Sequence, residues 1–191
     1  MTSPLKIQEF LDELPYSAED RYRSPLTVLR EREAHCFDGA LFAAAGLRLL
    51  GFKPMLVYMI AHNDDDHLLA PFKWKGHWGA IGKSNFAGLR FREPIHRTIR
   101  ELVLTYFEAF FNVKGEKTLR SYTSPLSLTK FDRYNWMQSD EHLEKISDAL
   151  DYVRSIPVLT GSMIRNLSPV DSRSYRAGLL GARKAGLYDP E

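Results

Sequence analysis

The sequence predicts an α+β fold in which a helix bearing the only cysteine packs on a small antiparallel sheet, with additional helices towards the C-terminus. Apolar residues recur at helical spacing directly after Cys36, and a short β-branched segment, residues 55–61, follows that helix. The 191 residues are 44% hydrophobic, which suffices for one folded core. We therefore expect a single domain over residues 1–191, with a core over about 24–112 and a C-terminal helical extension over 113–191.

Three helices are predicted before the sheet begins. Residues 5–14 place leucine and phenylalanine at roughly helical spacing. Ser24 followed by Pro25 is a common helix start, because the serine hydroxyl caps free backbone amides and proline fits the first helical position. The third helix begins around Phe37 and is expected to end at Gly51, because glycine favours helix C-termini.

Three short strands are predicted after these helices. Residues 55–61 (MLVYMIA) are apolar and short enough for a buried strand. After a polar turn, residues 67–74 and 77–84 are expected to form a hairpin whose turn contains Gly76. Pro71 has no backbone N–H to donate, so we expect a sheet edge or a bulge at that position.

The second half of the chain is predicted to be mainly helical. Residues 93–112 carry branched and aromatic side chains at helical spacing, which predicts one long amphipathic helix whose aromatic stripe belongs to the core. Residues 113–140 have no clean period, but their aromatic content indicates ordered structure, and any further strands are expected within 113–135. A helix is predicted over about 141–154, followed by a short helix or tail.

Composition and charge exclude several classes of protein. One cysteine cannot form an internal disulfide or a cysteine-rich metal site. The formal net charge is +2 and the basic residues are scattered, so we expect no nucleic-acid partner. Charged residues, glycine and proline interrupt the longest apolar region, residues 37–60, so we expect no membrane span. No secretory signal is visible, and we expect a cytoplasmic location.

Cys36 by itself has two interpretations. A thiolate is the reactive form of cysteine, and a free thiol titrates near pH ~8.5. A helix N-terminus stabilises the anion and lowers this pKa, which would suit a nucleophile at the start of the third helix. Free cysteine is also among the most often buried residue types, so an inert buried thiol explains the position of Cys36 equally simply.

The residues on both sides of the first strand favour the nucleophile. The run HCFDGALFAAAGLRLLGFKPMLVYMI, followed by DDDHLLAPFKWKGHWGAIGKSN, resembles the transglutaminase-like branch of the papain-like Cys-His-Asp superfamily over residues 30–85. The resemblance implies that Cys36 is the nucleophile and His67 the general base. It also matches Gly76 and Trp78 to the turn and the strand that follow the histidine strand.

At the third member of the triad, the sequence departs from that family. The family's aspartate falls near Gly82, which has no side chain to orient an imidazole. Asn85 is the candidate for this role, because asparagine orients the histidine in papain-like proteases; Ser84, or no orienting residue at all, are the alternatives. A regular strand places Asn85 on the face opposite Gly82, so a bulge is required. The predicted catalytic residues are therefore Cys36, His67 and Asn85.

The resemblance implies a cysteine-dependent enzyme that transfers acyl groups or hydrolyses amides through an acyl-enzyme intermediate. The expected partner is a peptide, amide or amine-bearing substrate, and neither a cofactor nor a metal is expected. Two alternatives stay open. The missing aspartate favours a catalytically inactive transglutaminase-like binding or scaffold protein. The run CFDGALF is similar to the arylamine N-acetyltransferases, although Ala34 and His35 stand where those enzymes usually carry a glycine pair.

Overall fold

The computed structural model describes residues 1–190, which form one antiparallel sheet with helices on both of its faces. The predicted α+β class is confirmed. The helices are α1 (Pro4–Glu13), α2 (Pro25–Glu31), α3 (Cys36–Leu49), α4 (Ile99–Leu104), α5 (Glu144–Asp151), α6 (Gly161–Arg165) and α7 (Ser172–Gly178). The strands are β1 (Met55–Ala61), β2 (His67–Trp74), β3 (His77–Ile81), β4 (Arg92–His96), β5 (Leu119–Thr123), β6 (Leu126–Ser127) and β7 (Ser155–Pro157).

Within residues 1–190 the sheet has seven strands, in the order β4-β3-β2-β1-β5-β7, and β6 pairs with β1. Its two faces bury separate apolar clusters. One cluster joins the sheet to helices α1–α3 and includes Leu41, Leu68 and Phe72, whereas the other joins it to α4 and includes Leu69 and Phe110. Successive residues of a strand point to opposite faces. Leu68 and Leu69, which are neighbours in β2, therefore belong to different clusters.

Three sequence signals of the N-terminal half are confirmed. The Ser24 hydroxyl accepts a hydrogen bond from the Thr27 amide at 3.3 Å, with Pro25 in the first helical turn. Helix α3 ends at Leu49, and Gly51 adopts a φ of +88°, which a residue with a side chain rarely adopts. Gly76 has a φ of +87° in the turn of the β2–β3 hairpin, as its place in the sequence predicts.

The single helix predicted over residues 93–112 is wrong. Residues 92–96 form the edge strand β4, where Pro94 is tolerated because one side of an edge strand needs no hydrogen bonds. Helix α4 begins after Thr98, whose hydroxyl accepts from the Glu101 amide at 3.0 Å. The aromatic residues still enter the core as expected, because Tyr106 and Phe110 are fully buried beyond the end of α4.

Pro71 lies in β2, which is an interior strand and not the edge that its chemistry suggests. The registered pairing of β2 with β1 stops at Leu69, while Pro71 pairs with Ala80 of β3. Proline is therefore accommodated where β2 is in register with a neighbour on one side only. A proline inside a strand thus indicates either a true sheet edge or a place where an interior strand is not paired on one side.

Residues 113–190 contribute more than the helical extension expected for this part of the chain. Strands β5 and β6 lie within 113–135, where further strands are predicted, and β7 adds one more at the sheet edge. Helix α5 occupies the centre of the helix predicted over 141–154. Within residues 1–190, no helix combines the length and the apolar character needed to cross a membrane.

Candidate functional site

Helix α3 starts at Cys36 because the side chains of His35 and Asp38 cap its N-terminus. The Nδ1 atom of His35 accepts a hydrogen bond from the Phe37 amide at 3.1 Å. The Asp38 carboxylate accepts from the backbone amide of His35 at 3.3 Å, which completes a reciprocal cap. Cys36 is half-buried, and its Sγ lies 3.9 Å from the backbone oxygen of Asp66, the residue before β2.

The surroundings of Cys36 keep its thiol protonated. Burial, followed by the negative charge of Asp65, raises the pKa of the thiol to about 12, although an interaction with the Tyr16 hydroxyl partly opposes this rise. The pKa of Tyr16 is itself raised, first by burial and then by Cys36. At neutral pH the cysteine is therefore a neutral thiol, although it lies at a helix N-terminus.

His67 lies on the other face of the sheet. Its Nε2 is 2.9 Å from the backbone oxygen of Leu89, and its ring packs edge-on against Phe110, with 6.4 Å between the ring centroids. The side chain is 3% exposed, and burial lowers its pKa to about 4. A neutral imidazole whose Nε2–H donates to a carbonyl fits this environment. The structure does not bring the imidazole of His67 to the thiol of Cys36.

The pleat of β2 explains this separation. The backbone oxygen of Asp66 contacts Cys36, and Leu68 belongs to the cluster on the α3 face. His67 lies between these two residues, so its side chain points to the opposite face. A shift of one residue along a strand exchanges its two faces. The predicted pair is therefore adjacent in the fold but divided by the sheet.

Gly82 lies against His67, and a side chain at this position would be tightly packed. A side-chain Cβ at this position would lie 3.1 Å from the Nε2 of His67, 3.1 Å from the Leu89 backbone oxygen and 3.0 Å from a methyl group of Leu69. An aspartate at position 82 would therefore lie beside the imidazole of His67, and its neighbours would have to move by a few tenths of an ångström. Ser84, the alternative orienting residue, accepts a hydrogen bond from the Phe86 amide at 2.9 Å.

Asn85 is bonded to the C-terminal part of the chain and not to His67. Its Oδ1 accepts from the Arg183 amide at 2.7 Å, while its Nδ2 donates to the backbone oxygens of Arg183 and Gly186 at 2.8 and 2.9 Å. These three bonds use both amide hydrogens and the carbonyl oxygen of the side chain. The amide of Asn85 is thus committed to residues 183–186, so it does not orient the imidazole in this structure.

Cys36 opens into a cavity of about 450 Å³, which we call the Cys36 pocket. Its walls come from the starts of α3 and β2, from β1 and α5, from residues 16–20 and Tyr22, and from the C-terminal residues 185–188. Four carboxylates line it, namely those of Glu19, Asp20, Asp65 and Asp66. Five aromatic rings line it as well, those of Tyr16, Tyr22, Phe37, Tyr58 and Tyr188.

The charge of the Cys36 pocket is negative although the whole chain is slightly positive. Glu19 is paired with Arg21 and Arg23, but within residues 1–190 the other three carboxylates form no ion pair with lysine or arginine. Asp66 instead accepts hydrogen bonds from the Tyr58 hydroxyl and from the Ala61 amide. Burial, followed by the charge of Asp66, raises the pKa of Asp65. No lysine or arginine is among the described residues that line the pocket.

Sequence reasoning identified Cys36 but missed Tyr16, Tyr58 and Asp66, the residues around it. The run HLLAPF is apolar at almost every position because both faces of β2 are buried, so no alternation shows which face holds His67. Tyr16 reaches the site through a tertiary contact from a segment between two helices, for which the sequence offers no signal.

The chain matches none of the protein-family models compared with it, and it matches none of the curated proteins. The geometry of the Cys36 pocket is therefore the basis for any functional assignment.

Proposed function

We propose that this protein is a binding protein of transglutaminase-like type that holds a small organic cation in the Cys36 pocket. The observation that carries the proposal is the division of the predicted dyad. Cys36 lies in an acidic, aromatic cavity, while His67 is buried on the opposite face of the sheet. A protonated thiol without a base beside it is a poor nucleophile.

The chemistry of the pocket wall favours an organic cation as the ligand. Carboxylates without a neighbouring lysine or arginine create a negative potential, which attracts positively charged ligands. Tyrosine rings bind ammonium groups through their negative faces, with about 0.5–2 kcal/mol for each well-placed contact. The volume of about 450 Å³ suits a small molecule bearing one amine or alkylated ammonium group.

Titration calorimetry with n-butylammonium and butyltrimethylammonium tests this proposal. Both cations are expected to bind at least about tenfold more tightly than butan-1-ol or butyrate, because only they complement the carboxylates. Asp65→Asn should weaken cation binding about fivefold, since it removes one charge from the pocket wall. Affinity should also fall with pH as Asp65 becomes protonated, and the raised pKa of Asp65 places this loss above the ordinary aspartate range.

Glu93→Gln is the control for that experiment, because Glu93 is an exposed residue of the edge strand β4 and does not line the pocket. It removes the same charge from the molecule, so its cation affinity should stay unchanged. Equal affinities for butan-1-ol and n-butylammonium, or no binding of either cation, would contradict the proposal. Equal effects of Glu93→Gln and Asp65→Asn would show that the pocket carboxylates are not the recognition element.

A second candidate is the cysteine-dependent acyl transfer or amide hydrolysis that the transglutaminase-like resemblance implies, with an arylamine N-acetyltransferase-like acyltransferase as a variant. The position of Cys36 at the first residue of α3, facing a cavity, favours it. Its backbone amide is suited to stabilise an oxyanion. An amine-bearing substrate would also fit the acidic wall. This function requires His67 and Cys36 to face each other, which means a one-residue shift of β2.

The pH dependence of Cys36 alkylation separates the two candidates. The binding protein predicts a rate that keeps rising up to high pH, because burial raises the thiol pKa to about 12. The enzyme predicts an apparent pKa below the free-thiol value of ~8.5, which is lost in His67→Ala. Mass-spectrometric trapping of an acyl group on Cys36 would also favour the enzyme.

A further inference from the structure

The Cys36 pocket is closed on one side by residues 183–188, which we call the C-terminal strap. The strap follows α7 and Gly181, which has a φ of +76°. Its centre, Lys184–Gly186, forms one turn of 3-10 helix. Ala185, Gly186, Leu187 and Tyr188 all line the same cavity as Cys36. A ligand entering from this side must therefore pass the strap.

Polar contacts hold the strap at two points. The Asn85 side chain makes three hydrogen bonds to the backbone of Arg183 and Gly186, at 2.7 to 2.9 Å. The Arg183 guanidinium donates to Glu33 at 2.6 Å and to the backbone oxygen of Tyr16 at 3.0 Å. Asn85 is only 7% exposed, so the side chain that binds the strap is itself buried.

The strap also lies beside Tyr16, which lines the same cavity as Cys36. A Cβ added to Gly186 would lie 2.9 Å from a ring carbon of Tyr16. Tyr16 in turn interacts with the thiol of Cys36. Tyr16 therefore contacts both the strap and Cys36, so a movement of the strap changes the surroundings of the thiol.

Little apolar surface fixes the strap. Residues 183–185 are exposed and residues 186–188 are only partly buried. The ion pair between Arg183 and Glu33 is half-exposed, and such pairs contribute little to stability. Segments with few buried apolar contacts open locally at a low free-energy cost. The hydrogen bonds of Asn85 are thus the main restraint on opening.

We propose that the C-terminal strap is a gate of the Cys36 pocket, with Asn85 as its latch. Release of the strap from Asn85 opens the cavity to ligand, and rebinding closes it over Tyr16 and Cys36. The gating role for ligand rests on the proposed binding function, whereas access to Cys36 is measurable without any ligand.

Alkylation of Cys36 in the full chain, with a small and a bulky reagent, tests the gate. Iodoacetamide is the small reagent and fluorescein maleimide is the bulky one, both at pH 9. Two variants weaken the latch: Asn85→Asp replaces both donors by a carboxylate oxygen, and Gly186→Ala places a methyl group against Tyr16. Each should raise the ratio of the bulky to the small rate about tenfold, because only the bulky reagent depends on an open strap.

Asn166→Asp is the matched control, because Asn166 donates one side-chain hydrogen bond to the Ser162 backbone in an exposed helix. Its rate ratio should equal that of the unaltered protein. An unchanged ratio in both latch variants overturns the gate, and so does an equal rise in Asn166→Asp. Amide hydrogen exchange at Arg183 and Gly186 should accelerate in the latch variants. Faster alkylation without that acceleration would place the opening elsewhere and would also overturn the gate.

The two proposals fail in different measurements. If the gate is wrong, the alkylation ratio stays constant while n-butylammonium still binds. If the binding function is wrong, n-butylammonium binds neither the unaltered protein nor Asn85→Asp, whatever the alkylation ratio. If both hold, Asn85→Asp should bind and release n-butylammonium faster than the unaltered protein does.

Discussion

The two faces of β2 lie in different chemical environments. The face of Asp66 and Leu68 meets the N-terminus of α3 and opens into an acidic, aromatic cavity. The face of His67 and Leu69 packs against Phe110, and His67 lines only a small cavity of about 30 Å³, together with Asp64 and Asn85. A cysteine and a histidine with the order and spacing expected of a catalytic pair therefore lie in different chemical environments. Residue order along a chain predicts proximity of backbones, whereas the pleat decides which side chains meet.

The largest expected effect comes from placing an aspartate at position 82, where the predicted triad lacks its acid. Gly82→Asp places a carboxylate against His67, Leu69 and the Leu89 backbone oxygen, where a Cβ already has 3.0 to 3.1 Å to its neighbours. We expect the free energy of unfolding to fall by about 4 kcal/mol, from overpacking together with burial of a charge. Urea denaturation measures this loss.

Gly82→Ala is the control, because it adds the Cβ without the charge and should cost only about 1–2 kcal/mol. Neither variant should accelerate the alkylation of Cys36. A Gly82→Asp protein that keeps its stability and alkylates faster would mean that the imidazole and the thiol share a face.

The next largest effect is the acid sensitivity that His67 brings to the folded state. Its pKa falls from the ordinary 6.5 to about 4 on folding, because burial disfavours the imidazolium ion. As the pH falls through 6.5, the unfolded chain binds the proton first, so stability is lost between about pH 6.5 and pH 4. The loss attributable to His67 should reach about 3 kcal/mol at pH 4.

Comparison with His67→Gln isolates this contribution, because Asp64 titrates in the same range with the opposite sign. Burial raises the pKa of Asp64 to about 6, which stabilises the folded state as the pH falls. Asp64 is present in both proteins, so it cancels in the difference between their denaturation midpoints. Glutamine can still donate to the Leu89 oxygen. A His67 paired with a Cys36 thiolate would have a raised pKa, and the difference would then change sign.

Much of the fold could be predicted from the sequence because its local signals agree with the tertiary structure. The cap at Ser24, the apolar strand β1 and the hairpin turn at Gly76 all form from neighbouring residues. Strand β4 was missed because its residues also fit a helical period, and only the sheet edge beside β3 decides between the two. Local propensity yields to tertiary pairing in such segments.

The site was predictable only in part, for a different physical reason. Cys36 follows from its place before an apolar helix, and that prediction needs no tertiary information. The partners of Asn85 lie about a hundred residues further along the chain, at Arg183 and Gly186. A contact of that range leaves no periodicity or spacing in a single sequence. The role of His67 as general base and that of Asn85 as its orienting residue remain predictions that the observed contacts do not support.

The smallest expected effect concerns the acidic face alone. The charge of Asp65 is the second cause of the raised pKa of Cys36, after burial. Asp65→Asn should therefore lower the pKa of the thiol and speed its alkylation at pH 9 by about threefold. Asp64→Asn is the matched control, because the Asp64 carboxylate accepts from the Thr118 hydroxyl at 2.6 Å and is not among the charges that act on Cys36. Equal acceleration in both variants would mean that the carboxylates act through net charge and not through the pocket. Asp65→Asn leaves Cys36 buried, so the pKa of its thiol should stay above that of a free thiol. Removing this one unfavourable charge therefore does not replace the base that the thiol lacks.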